Sequence, residues 1–286
     1  MPEYTDAHGV TIVYDVHPAS TPARAVVQLL HGVGEHAGRY ARVIDDLTAN
    51  GYTVYADDHR GHGRTGLRQH GDPADLGRLG KGGMPATVAA LWQFTELIRA
   101  ENRELPLVLL GHSWGSFLAQ ILVNDHPDAY DAVILTGTAL RWPASLNSGP
   151  LNAPWKGPDA TGREWLSSDP AVGEAFGADP LTTDRPLLAL FGPIDAARLF
   201  GRPRRGLRDL RTADLPVLIM VGREDTVGGA TSAHRLARAY RERGGLDDIT
   251  TLIYPGARHE VFNEVQQVEV RADLLAWLEK RFPVRA

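Results

Sequence analysis

Leu107-Val108-Leu109-Leu110-Gly111-His112-Ser113-Trp114-Gly115-Ser116-Phe117-Leu118-Ala119-Gln120 is the stretch whose reading decides the fold. Leu107 to Leu110 is an apolar run with the length of a buried strand, and Trp114 to Val123 repeats at helical spacing. Between them Gly111 to Gly115 spells G-x-S-x-G at a strand-to-helix junction, the context that gives this motif meaning. So sharp a turn strains the serine backbone, and side chains two positions either side would collide. Gly111 and Gly115 remove them. The turn lifts the Ser113 hydroxyl clear of the sheet and leaves the first N–H groups of the next helix facing any developing negative charge. Ser113 is the candidate nucleophile.

Upstream, Thr11 to Val16 reads as a strand and Ala25 to Leu30 as a second, nearly all apolar. Strands without alternation are covered on both faces, which predicts a mostly parallel sheet flanked by helices. His31-Gly32-Val33-Gly34-Glu35-His36 follows as a glycine-bearing loop, then a helix over Arg39 to Asn50 stopped by Gly51, then a strand over Thr53 to Ala56. Gly61 to Gly66 spells G-x-G-x-x-G, but the reading predicts a further loop over Leu67 to Gly83 before any helix, so the dinucleotide fingerprint is rejected. His59 and His62 read as loop histidines, since no His-Glu-x-x-His and no third ligand stands at metal-binding spacing. Pro85 to Glu101 reads as a helix.

Downstream, Ala132 to Leu135 is a strand with no carboxylate at its end. From Leu140 to Arg205 the alternation stops: nine of the 19 prolines fall between Pro143 and Pro203, beside Trp142, Trp155, Trp165, Phe176, Phe191 and Phe200. Proline at this density permits only short helices, and the aromatics need cover, so a helical cap over the strand ends is expected. Strands resume at Val217 to Val221 and Thr250 to Tyr254, with helices over Ala233 to Arg243 and Val265 to Phe282. The expected organisation is one α/β domain, residues 1–139 and 206–286, split by a cap at 140–205.

The chain has 286 residues, 43% of them hydrophobic and 23% charged, ordinary values for a globular protein. A formal net charge of −5 argues against a nucleic-acid partner. The absence of cysteine excludes disulfides, thiolate nucleophiles and cysteine-ligated metals. No leader-like start and no apolar run of about 18 residues is present, which gives the expectation of a cytoplasmic protein without an integral membrane segment.

A serine hydroxyl needs a base within hydrogen-bond reach and an acid to orient that base. Gly222-Arg223-Glu224-Asp225 places an acidic pair at the end of one late strand, and Pro255-Gly256-Ala257-Arg258-His259-Glu260 places a histidine after the last. Ser113, Asp225 and His259 thus stand in the order nucleophile, acid, base, which is the α/β-hydrolase order. Asp225 is preferred to Glu224 at the turn position. Among the other histidines, His31, His36, His59 and His62 are expected on the same rim, and the His112 side chain is expected to leave the elbow in another direction. The backbone N–H groups of Val33 and Trp114 are the expected oxyanion donors, with Trp142, Trp155 and Trp165 as candidate substrate contacts.

His31-Gly32-Val33-Gly34-Glu35-His36 with Arg39-Tyr40, Asp58-His59-Arg60-Gly61-His62-Gly63, Gly111-His112-Ser113, and Tyr254-Pro255-Gly256 through His259-Glu260 to Phe262-Asn263-Glu264 together resemble the monoglyceride lipase and lysophospholipase branch of the α/β-hydrolases. The resemblance covers the α/β parts at both ends and does not extend visibly through the cap. It implies an acyl-ester hydrolase acting on a small-molecule ester, with a cap over an apolar acyl tunnel and no cofactor. The same machinery could serve an amide, lactone or thioester, and a non-catalytic relative would carry a damaged triad. Trp114 and Ser116 stand where the family usually has methionine and glycine, and Val227-Gly228-Gly229 replaces a proline-bearing segment. The Trp114 indole is expected to narrow the acyl site toward short, medium or aromatic acyl groups.

Overall fold

The computed structural model describes residues 1–147 and 149–284. Its centre is an eight-stranded sheet in the order β1-β2-β4-β3-β5-β6-β7-β8. The strands are β1 (Glu3–Thr5), β2 (Thr11–His17), β3 (Ala25–Leu30), β4 (Tyr52–Asp57), β5 (Leu107–His112), β6 (Ala132–Thr136), β7 (Val217–Gly222) and β8 (Ile249–Tyr254). Only the β1–β2 and β2–β4 pairs are antiparallel. From β4 through β8 every pairing is parallel, so the fold is α/β, as the unbroken apolar strands predict.

The reason those strands lack alternation is visible along β5. Leu107 and Leu109 face a core built with α3 (Gly83–Glu101), α4 (Trp114–Asp125) and α7 (Gly229–Glu242). Val108 and Leu110 face the opposite core with α1 (Ala41–Ala49) and α8 (Gln267–Arg281). Each residue along the strand is therefore covered, whichever way it points. Truncating one of these leucines to alanine costs about 2–5 kcal/mol.

One expectation is corrected here. The stretch read as loop contains a helix, α2 (Gly63–His70), that opens on a glycine of the G-x-G-x-x-G run. Its pattern is hidden because the helix is held from outside: Asp58 Oδ2 accepts from the Arg64 N–H at 2.9 Å and from Arg64 Nε at 2.6 Å. The Thr65 hydroxyl accepts from the Val13 N–H at 2.9 Å, tying the helix to β2. The dinucleotide reading does not return, because a buried carboxylate already occupies the anion position at this helix start. The helix expected over Arg39 to Asn50 begins as a 3₁₀ turn at Ala37–Tyr40 before α1, and β1, too short to show a period, was not foreseen.

Between β6 and β7 the described helices are α5 (Pro170–Ala178) and α6 (Leu187–Ala197), followed by a 3₁₀ turn at Leu207–Leu210. Helix α6 is broken at Gly192, φ 73°, just before Pro193, where proline removes a helical hydrogen bond. Among the bonds that fasten this insertion to the α/β part, two sets lie near the strand ends. Trp165 and Leu166 accept at their carbonyls from the His259 and Glu260 N–H groups, at 3.3 and 2.7 Å. Thr183 donates its N–H to Gly34 O at 2.8 Å, and the His36 ring meets Asp179 at 2.8 Å. No helix among the described residues is long and apolar enough to cross a membrane.

Candidate active site

Ser113 sits between β5 and α4 with φ 52° and ψ −122°, a backbone conformation that costs an ordinary residue about 1–3 kcal/mol. The turn closes because nothing stands in its way. A Cβ on Gly111 would lie 2.5 Å from Gly115 O, and one on Gly115 would lie 2.5 Å from His31 O. The Ser113 N–H donates to Thr136 O at 2.9 Å, which pins the elbow to the end of β6. Ser116, where the family usually has glycine, brings its hydroxyl within 2.6 Å of Ser113 O and 2.8 Å of Thr138 Oγ1.

The ends of β7 and β8 deliver the other two residues. His259 Nδ1 lies 3.0 Å from Asp225 Oδ1, both side chains buried. Asp225 Oδ1 also accepts from the Val227 N–H at 2.8 Å, a bond that proline there could not make. Of the two adjacent acids the turn carries Asp225 inward to His259 and leaves Glu224 exposed. The free nitrogen of the ring, His259 Nε2, is buried without a hydrogen-bond partner. It does not yet bond to the serine hydroxyl. Such bonds are often long until substrate closes the site. Burial pushes the His259 proton affinity down, but the Asp225 charge and hydrogen bond, with Glu260 and Glu35 behind, outweigh it and leave the pKa raised.

Val33 and Trp114 make no backbone N–H hydrogen bond among the described residues, so both donors are available beside Ser113. A Cβ on Gly32 would sit 3.1 Å from Ser113 Cβ, which places the Val33 loop directly against Ser113.

Several histidine expectations are corrected. His31, His59 and His62 are buried rather than on a rim: His31 and His59 stack with centroids 3.8 Å apart, and His62 stacks at 4.9 Å on the Trp114 indole. Their rings fill the space under the elbow: His31 Nδ1 and His62 Nδ1 face the Gly32 and Arg60 carbonyls, His59 Nδ1 meets Asp57, and the Nε2 atoms of His59 and His62 are buried without a partner. His112 does not leave the site: its ring lies 4.8 Å from that of His259. Burial, then the neighbouring His259, drive the His112 pKa down to about 4.

The three tryptophans separate. Trp165 packs 4.8 Å from the His259 ring. Trp155 covers Arg258, the residue before His259, at 4.2 Å. Trp142 is 41% exposed and lies under Arg202 at 3.6 Å, so the structure does not bring it to Ser113. Phe191 of α6 reaches Trp114 instead, with ring centroids 5.0 Å apart. Phe191 also lines a cleft of about 560 Å³, with His70, Arg78, Leu190 and Asp195; Ser113, Asp225 and His259 are not among its lining residues.

Sequence reasoning also missed a buried ionic network. Arg39 Nη1 reaches Glu35 Oε2 at 2.6 Å and Glu260 Oε1 at 2.7 Å, while Nη2 reaches Glu260 Oε2 at 2.8 Å. The four-residue spacing of Glu35 and Arg39 was its one signal in the sequence. Among the described residues no group of histidines and carboxylates is arranged to hold a metal ion.

Strand order, strained elbow and the acid–base pair at the strand ends define an α/β-hydrolase. Residues 21–266 match the family described as serine aminopeptidase, S33, and the chain belongs to that family. It is 31% identical to the monoacylglycerol lipase of Mycolicibacterium smegmatis, over 94% of this chain and 93% of that one. It is 26% identical to the monoglyceride lipase of Homo sapiens, over 92% and 85%. A thermostable carboxyl esterase from Bacillus coagulans shares the fold with a TM-score of 0.81 at 21% identity, covering 98% of each chain. With these relatives the protein stands in the monoglyceride lipase-like branch and is a serine ester hydrolase.

Proposed function

We propose that the protein hydrolyses carboxylic esters through an acyl-enzyme formed on Ser113. His259 Nε2 takes the serine proton as the oxygen attacks the ester carbonyl, and returns it to the departing alcohol. Asp225 holds Nδ1 and so keeps the free nitrogen turned toward the serine. The Val33 and Trp114 N–H groups receive the charge that develops on the carbonyl oxygen, each worth on the order of 3 kcal/mol in the transition state. Water then repeats the cycle on the acyl-enzyme, with the same imidazole as base.

The observation that carries this reading is the buried Asp225–His259 pair with Nε2 unpartnered, on the same sheet edge as a serine held in strained backbone. Residues 140–205 act in it as the cap. For the acyl group we propose short, medium or aromatic chains. The support is the fully buried Trp114 indole, wedged between His62 and Phe191 directly after Ser113. A panel of esters assayed with purified protein tests the activity, and a fluorophosphonate probe tests the nucleophile. Labelling is expected at Ser113 and absent from Ser113→Ala, which loses about 10⁶-fold in turnover. Retained turnover in that variant would end the proposal.

A further inference from the structure

Two side chains grip the peptides on either side of Gly32. The His31 ring places Nδ1 2.7 Å from Gly32 O, and its Nε2 accepts from the His59 backbone N–H at 2.9 Å. Because Nε2 faces a donor and Nδ1 faces a carbonyl, the proton sits on Nδ1 and the ring donates to Gly32 O. Gly32 O and the Val33 N–H belong to one peptide plane. Whatever fixes that oxygen fixes the direction of that N–H, and a donor on the oxygen also polarises the N–H toward a developing anion.

The preceding peptide is held from the opposite side. The Gly32 N–H donates to Glu35 Oε1 at 2.6 Å, and the same oxygen accepts from the Tyr40 hydroxyl at 2.6 Å. Arg39 ties Glu35 to Glu260, whose Oε2 also accepts from Asn263 Nδ2 at 2.8 Å. Glu260 directly follows His259. A chain of short polar contacts therefore runs from the peptide before Gly32 to the loop that carries His259.

We propose that His31 and Glu35 are positioning residues that fix the Gly32–Val33 peptide as an oxyanion donor, and that Arg39 with Glu260 keeps this peptide in register with His259. The inference rests on the function proposed above. Neither residue touches substrate; each acts through the backbone of Gly32. Burial, then the neighbouring His59 and His62, keep His31 neutral, the state in which one ring nitrogen donates and the other accepts.

Paired substitutions test it, with enzyme concentration set by active-site titration so that only folded protein counts. In His31→Asn the amide nitrogen takes the place of Nδ1, whereas in His31→Gln it takes the place of Nε2. His31→Gln is expected to lose about 10²–10³-fold in kcat with KM within about threefold, the loss typical of one oxyanion donor. His31→Asn is expected to stay within about tenfold of the parent. Glu35→Ala and Glu35→Gln repeat the comparison, since only the glutamine keeps an acceptor for the Gly32 N–H. Affinity for a trifluoromethyl ketone, which forms the tetrahedral adduct, should fall in step with kcat. Equal kcat within each folded pair, or losses confined to KM, would overturn the proposal, and if the His31 variants fail to fold the Glu35 pair decides alone. Turnover surviving in Ser113→Ala would instead bring down the reading beneath it.

Discussion

The rings of His112 and His259 lie 4.8 Å apart, yet their surroundings drive their proton affinities in opposite directions. Both are buried, which disfavours the charged form of each. Only His259 has a carboxylate on Nδ1, and that partner reverses the balance. His112 faces the Thr136 hydroxyl at 3.0 Å, and its pKa falls to about 4.

For the mechanism proposed above, the consequence for activity is an acid limb placed by His259. A base must be neutral to accept the serine proton, and the pKa of His259 is raised above its ordinary value of 6.5. The kcat/KM profile should therefore fall as pH drops through a value above 6.5, with unit slope, in a stopped or pH-stat ester assay. A flat profile down to about pH 5 would exclude this imidazole as the base.

Stability follows a different set of histidines. Burial, as the largest cause, lowers the pKa values of His31, His62 and His112 in the folded state, so the unfolded chain binds more protons in acid. Their contribution is fully present above the unfolded pKa and is lost as pH falls below 6.5, down to about 4 for His62 and His112. Three such groups give a slope of up to about 4 kcal/mol per pH unit in that window. His259 has the opposite sign: its raised pKa contributes stability below pH 6.5 that disappears as pH rises through the folded value. Denaturant melts at half-unit pH steps from 7 to 4.5 should show the steep loss, and His112→Asn should flatten it.

Of the two adjacent acids, only Asp225 should matter for turnover. Asp225→Asn leaves the shape but lets the imidazole settle in the wrong tautomer, and kcat is expected to fall about 10⁴-fold. Glu224→Gln, at an exposed position, should leave kcat within about twofold. Similar losses for the two variants in the same assay would overturn the assignment.

Trp114→Met exchanges the indole for the flexible side chain usual in the family. The space between His62 and Phe191 should open, moving the optimum of a p-nitrophenyl ester series toward longer acyl chains. The stability cost is expected at about 1–2 kcal/mol, below the ~3–5 kcal/mol of truncating a buried tryptophan to alanine. A parent enzyme already fastest on palmitate would contradict the proposed role of the indole.

Local chemistry made much of this protein legible in its sequence. The glycines at 111 and 115 announce a turn that only small residues can make, and apolar runs such as Val217 to Val221 announce strands buried on both faces. The order of Ser113, Asp225 and His259 along the chain then points to one edge of the sheet, because parallel strands deliver their following loops there.

Contacts between distant segments decided the rest. Helix α2 forms because Asp58 and Val13 hold it from outside, and neither bond leaves a period in the helix's own residues. Trp142 and Trp165 read alike in the sequence, yet one is turned out beneath Arg202 and the other packs on His259, since the path of the insertion sets where each side chain points. The seating of the Val33 peptide by His31 and Glu35, and the bridge from Arg39 to Glu260, join residues that are neighbours only after the sheet has closed. A sequence records which groups can bond and at what local spacing; which of them come within 3 Å across more than 200 residues is settled by packing.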